Sequence, residues 1–140
     1  MILTADNYYS AEANIEYMSV SQFKDFAGTY GKVGCEASAM AKLRGEYEQK
    51  KTTALLVGSY VDSYFEGTLD QFKRWNPEIF TQGGDLKASY KQANDIIARI
   101  ERDEDFMQCL SGEKQVIMTG ELFGVPWKIK MDSYLPDKVI

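Results

Sequence analysis

The chain contains no histidine. That absence removes Ser-His-Asp and Cys-His nucleophilic catalysis, together with the common zinc sites built on imidazole. Cysteine is scarce as well. Cys35 and Cys109 are the two present, and no CxxC pair occurs. These residues therefore supply no four-cysteine zinc or iron–sulfur site. Both fall in predicted helices among apolar neighbours and read as small buried thiols. No apolar run approaches the roughly 20 residues of a membrane helix. The start, Met1-Ile-Leu-Thr-Ala-Asp6, lacks the basic region and apolar stretch of a secretory signal, so the expected location is the cytoplasm. Internal repeats, low-complexity segments and Pro/Ser-rich linkers are also missing. Positive charge is in deficit: 16 Lys and Arg against 21 Asp and Glu leave a net charge of −5. Proteins that coat nucleic acid are usually basic. Simple coating is thus disfavoured, whereas an enzyme with a local basic groove and carboxylates for metals is not.

What remains is the material of a packed globule. The 140 residues are 44% hydrophobic and include nine tyrosines, which suits a single domain over 1–140 with a real core. Acid–base or metal chemistry must rest on Asp, Glu, Lys and Tyr. Hard oxygen ligands favour Mg²⁺ or Mn²⁺ over zinc.

The first two-thirds of the chain reads as helical. Residues 1–18 are polar and tyrosine-rich, an irregular lead-in. Ser19-Val-Ser-Gln22 has capping-box spacing and opens a helix to about Tyr30. A small-residue helix follows to about Leu43, and then a charged loop over 44–51. From Thr53 to Glu66, Val57, Tyr60, Val61, Tyr64 and Phe65 form a helical apolar stripe, and Gly67 ends it. Thr68–Trp75 is a short helix stopped at Asn76-Pro77. Gly83-Gly84 turns, with Asp85 as N-cap of the longest helix, Leu86 to about Arg102. A last helix covers roughly Glu104–Leu110. The period then becomes 2 in Lys114–Thr119 and Trp127–Tyr134, with Gly120–Gly124 turning between them. After a second turn at Pro136-Asp137-Lys138, Val139-Ile140 starts a third strand.

Two places could carry chemistry. Asp62 and Glu66 lie at i and i+4, beside the apolar stripe, where like charges repel unless a cation sits between them. Gly58 is one turn earlier on that face. A mid-helix Gly costs about 1 kcal/mol relative to Ala, which suggests close approach of another backbone or a ligand. Asp132 sits mid-strand, where Asp is disfavoured, on a face with Lys128 and Lys130. By residue type alone the first group also suits a solvated acidic edge, the commoner arrangement. The second also suits a salt-bridged surface ladder. Lys73, Arg74, Lys87 and Lys91 are positive residues between the acidic groups; Lys87 and Lys91 share a helix face. They suit backbone-phosphate contacts or an ordinary charged surface. Trp75 could stack a base, as could Tyr60 and Tyr64, although the tyrosines have core spacing.

The run Leu55-Leu-Val-Gly58-Ser-Tyr-Val-Asp62-Ser-Tyr-Phe-Glu66 resembles the helix motif of RecE/RecB-like and phage-type exonucleases of the PD-(D/E)-x-K superfamily. Gly120-Glu-Leu-Phe-Gly124-Val-Pro-Trp-Lys-Ile-Lys130-Met-Asp132 resembles their hairpin and the strand with the first invariant Asp. Ser19-Val-Ser-Gln-Phe23 and Gly83-Gly-Asp-Leu-Lys-Ala-Ser-Tyr-Lys91 are similar to flanking elements of the same group, in the same order. Two departures stand out. Asp62 occupies a position often held by His. No acid-x-Lys tripeptide follows Asp132, since Asp137-Lys138 lacks the intervening residue. In the family that tripeptide lies on the strand after Asp132, and it is expected past residue 140.

The resemblance implies an α+β fold: helices plus the first strands of a restriction-endonuclease-like core. It implies a Mg²⁺- (or Mn²⁺-) dependent DNA exonuclease of phage or prophage recombination type. Asp132 and Glu66 would be catalytic and metal-binding, and Asp62 would assist as a ligand. Lys73, Arg74, Lys87, Lys91 and Lys130 would contact DNA. A single-strand annealing protein and further copies of the chain are the other implied partners, and no membrane is. Residues 1–140 alone are expected to show little or no cleavage. The alternative is a non-catalytic DNA- or partner-binding module on a nuclease scaffold; a third option is a hydrolase of another phosphoester.

Overall fold

Local signals account for most of the helices. In the computed structural model, which describes residues 1–47 and 50–139, α1 (Ala11–Glu16) begins where the Ser10 hydroxyl accepts from Ala13 N–H. This helix lies in the segment expected to be irregular. Ser19 and Gln22 close the expected capping box and open α2 (Val20–Ala27). A small antiparallel hairpin, β1 (Gly28–Thr29) and β2 (Lys32–Val33), replaces the last turn expected of that helix. Next is α3 (Glu36–Leu43). Cys35 sits at its N-cap and is exposed, and Cys109 is only half-buried. The expectation of two buried thiols is therefore corrected.

α4 (Thr53–Glu66) has the predicted bounds, with Thr52 capping Leu55 N–H and Gly67 closing it in the left-handed conformation. α5 (Leu69–Trp75) follows. The long helix expected over 86–102 is shorter. Phe80 and Leu86 form an isolated antiparallel bridge, and Ala88–Tyr90 is a 3-10 turn. α6 begins only at Gln92 and ends at Glu101. Asp85 is no N-cap; its own N–H donates to the Thr81 hydroxyl. α7 (Glu104–Cys109) is capped by Asp103.

The strands β3 (Glu113–Leu122), β4 (Val125–Leu135) and β5 (Lys138–Val139) form one sheet in that order. The turn between β3 and β4 is tighter than expected. Phe123 (φ 55°) and Gly124 (φ 73°) are both left-handed, the pattern of a two-residue type I′ hairpin. β4 and β5 pair antiparallel, Tyr134 with Val139 and Leu135 with Lys138. Ile140, expected to continue this third strand, and Glu48 and Gln49 of the expected loop lie outside the described residues.

The chain forms two compact units: residues 1–49 with 115–131, and residues 50–114 with 132–140. In the second, Leu56, Val57, Tyr60 and Val61 of α4 pack with Phe72, Ile79, Leu86, Ala93 and Ile97. Together they form the main apolar core.

In the first unit the unexpected core residue is Lys128, 1% exposed. Its ammonium donates to Tyr8 O (2.6 Å) and Asn14 Oδ1 (2.7 Å) and lies 4.7 Å from the Tyr8 ring centroid. Burial pushes its pKa down. It therefore belongs to no surface ladder; the lead-in segment covers it. Lys128→Met would leave two acceptors without a donor at ~1–3 kcal/mol, offset in part by relief of the buried charge. We expect a loss of about 2 kcal/mol, measured by urea denaturation.

Candidate metal and nucleic-acid site

α4 presents Gly58, Asp62 and Glu66 one turn apart on one face, beside its buried stripe. β4 brings Asp132 to the same compact unit. Along β4 the buried face changes: Lys128 is covered, whereas further on Met131 and Ser133 are buried and Asp132, of Lys128's parity, is exposed. Ser133 holds this region in place, its hydroxyl accepting from Gly112 N–H at 3.0 Å.

Asp62 is exposed, yet its carboxyl is held above the ordinary carboxylate range. Partial desolvation against the packed helix is the larger cause and the like charge of Asp132 the second. Asp62 and Asp132 thus lie within electrostatic reach of each other, across 70 residues of sequence. Glu66 is half-buried, and its carboxylate accepts from the Thr68 hydroxyl at 3.3 Å. Among the described residues, no group of three or more His, Cys, Asp or Glu is arranged to hold a metal. The donor chemistry still suits a hard cation: two carboxylates within electrostatic reach, one of them titrating high chiefly through desolvation.

Gly58 does not fulfil its expectation of close approach by the chain itself. A Cβ built there meets nothing within 4 Å, so this face of α4 is open. Gly58→Ala is expected to raise stability by about 1 kcal/mol, read as a higher urea midpoint.

Of the expected DNA contacts, Lys73 and Arg74 occupy the last turn of α5. Lys87 and Lys91 do not share an α-helix face, because the 3-10 turn separates them. Both nevertheless line one open cleft of ≈ 460 Å³ with Thr81, Asp85 and Asn94. Lys87 is partly engaged, donating to Glu78 O at 2.7 Å. Lys130 lies 4.7 Å from the Tyr9 ring centroid and 5.7 Å from that of Tyr8.

Residues 19–140 match the model of a PDDEXK-like domain of unknown function. The chain belongs to this PDDEXK-like family. Its α+β fold agrees with a crystal structure named "Putative exonuclease" from Eubacterium rectale, at 74% identity and TM-score 0.89. That similarity covers 97% of this chain and 51% of the other, so the PDDEXK-like chain spans about half the length of the one it matches. No curated protein matches. Among the described residues of this PDDEXK-like chain, no helix is long and apolar enough to cross a membrane.

Proposed function

We propose that this chain is part of a cytoplasmic, metal-dependent deoxyribonuclease in which Asp132, Glu66 and Asp62 hold Mg²⁺ or Mn²⁺. The observation that carries this is the Asp62–Asp132 pair: two carboxylates of one compact unit within electrostatic reach, Asp62 held up chiefly by desolvation and secondly by Asp132, with an open helix face one turn away. Bound there, a cation supplies the acidity that makes a coordinated water nucleophilic and offsets charge on the phosphorane-like transition state. Asp62 and Asp132 act as ionised oxygen donors. Glu66, oriented by the Thr68 hydroxyl, is a third donor or holds a water. Lys73, Arg74, Lys87, Lys91 and Lys130 contact phosphates.

Membership of the PDDEXK-like family and the neighbour's name support a nuclease, exonucleolytic in kind; DNA as substrate and a phage or prophage recombination type are proposed with it from the motif resemblance. A single-strand annealing protein and self-assembly are proposed with it. The activity is assigned to the whole protein, because this chain spans half of the matched one. Residues 1–140 contain no acid-x-Lys tripeptide after Asp132. For them alone we propose metal binding with little or no cleavage.

Calorimetric titration of Mn²⁺ into the chain tests this. Ligands must be deprotonated. The Asp62 carboxyl is held above the ordinary carboxylate range by desolvation and the Asp132 charge, so affinity is expected to fall as pH is lowered and this carboxyl takes up its proton. Asp132→Asn should weaken binding at least about tenfold. No heat of binding, or equal affinity in Asp132→Asn and Glu66→Gln, would overturn the assignment.

A further inference from the structure

Trp75 ends α5 in an unusual setting. It is 67% exposed, although a Trp side chain is ordinarily well buried. Among the described residues no aromatic ring packs against it, so its exposed indole has no stacking neighbour of that kind. The charges around it are also distinctive. Lys73 and Arg74 precede it in the helix's last turn. Lys51 reaches in from before α4, its ammonium 3.8 Å from Glu78, and Lys87 donates to the Glu78 carbonyl. Glu78 and Asp70 are acidic residues of the same stretch, and the chain as a whole carries a net charge of −5.

We propose that Trp75 is a stacking platform for one base of a single-stranded DNA segment, with Lys73, Arg74 and Lys51 on the flanking phosphates. This rests on the nuclease reading and names the form of its substrate. An exposed indole beside cations is what single-strand recognition uses: every base has a π face, and the phosphates take the charges. Lys51 is held here on Asn76 Oδ1 at 2.9 Å, and Arg74 Nε donates to Asp70 O at 3.3 Å. A duplex keeps its bases stacked inside and offers Trp75 only the backbone. The platform and the acidic residues of α4 belong to one compact unit. α5 starts at Leu69, just after Glu66, and spans on the order of 10 Å. Lys73 and Arg74 also suit the negative end of their own helix. Salt dependence separates that role from phosphate contact.

The test uses intrinsic fluorescence in EDTA, so neither metal binding nor cleavage is read. The chain has two tryptophans, and Trp127→Phe leaves Trp75 as the reporter. Titration with an oligo(dT) of about 20 nucleotides is expected to quench its emission; a blunt duplex of equal length should quench far less. In the parent chain, Trp75→Ala should weaken oligo(dT) binding by anisotropy about 5- to 100-fold, and Trp75→Phe should restore most of it. Removing Lys73 or Arg74 should lower the salt slope by about 0.7 each. Absent binding, unchanged Trp75 emission, or equal quenching by duplex would overturn the platform. The Asp62–Asp132 assignment would still stand if Mn²⁺ bound as expected. The platform in turn survives a failed Mn²⁺ titration as a metal-independent binding surface.

Discussion

Asp132→Asn in the whole protein is expected to lower Mg²⁺-dependent hydrolysis of DNA by at least about a hundredfold, with overall stability little changed. The substitution keeps the side chain's shape and removes its charge. Asp132 is exposed, so the amide loses no solvation it needs. A cation loses an anionic donor, and the carboxyl of Asp62 loses the second of the two causes that hold it high. Its pKa should therefore fall part of the way back, desolvation remaining. Cleavage of a labelled duplex and of a single strand, with carboxyl titration by carbon NMR, reads both effects. Cleavage within a factor of about three of the parent would remove Asp132 from the chemistry. An unmoved Asp62 titration would show that the two charges do not couple in solution.

Gly112→Ala is expected to destabilise the chain by about 3 kcal/mol or more. A Cβ on Gly112 would stand 2.3 Å from Tyr134 O and 2.7 Å from Ser133 Oγ. One of these contacts is backbone and the other a fully buried hydroxyl, so neither swings aside as a long side chain would. Relief requires the start of β3 to separate from the base of β4, breaking the Gly112–Ser133 hydrogen bond. Both residues that β4 places after Asp132 would shift, so Mn²⁺ affinity should drop along with the urea midpoint. Unchanged stability would mean that the 111–113 backbone relaxes at little cost. The contrast with Gly58, where the same added methyl meets open space, makes the pair an internal control. One glycine is required by packing, and the other is a helix weakness the chain tolerates.

α4 was legible in the sequence because two independent signals agree there: a 3.6-residue apolar period and the closing Gly67. The helix expected over 86–102 failed at its start for a tertiary reason. Leu86 pairs with Phe80, and Lys87 reaches the Glu78 carbonyl, so that stretch is held extended despite its helical composition. Strand parity was readable in β4, but which parity faces inward was not. A pattern of apolar and charged residues gives no sign that Lys128 will be buried by hydrogen bonds to residues more than a hundred positions earlier. The candidate site was legible only in its parts. Asp62 and Asp132 each look like ordinary surface acids; their proximity exists only once the chain is folded. Trp75 was visible as a residue, but its exposure is a property of its surroundings. The mid-chain Gly58 invited a close contact that the folded chain does not make.

The two-residue turn at Phe123-Gly124 carries a rule about length variation. Consecutive side chains of a strand face opposite ways. A single residue gained or lost between Val125 and Met131 would reverse every later position of β4, sending Asp132 away from Asp62 and Ser133 away from Gly112. An extra residue inside the turn is absorbed there as a longer loop. Relatives of this chain should therefore differ in length at the hairpin tip and hardly ever by an odd number along the strand behind it. A laboratory insertion series would show the same alternation, position by position.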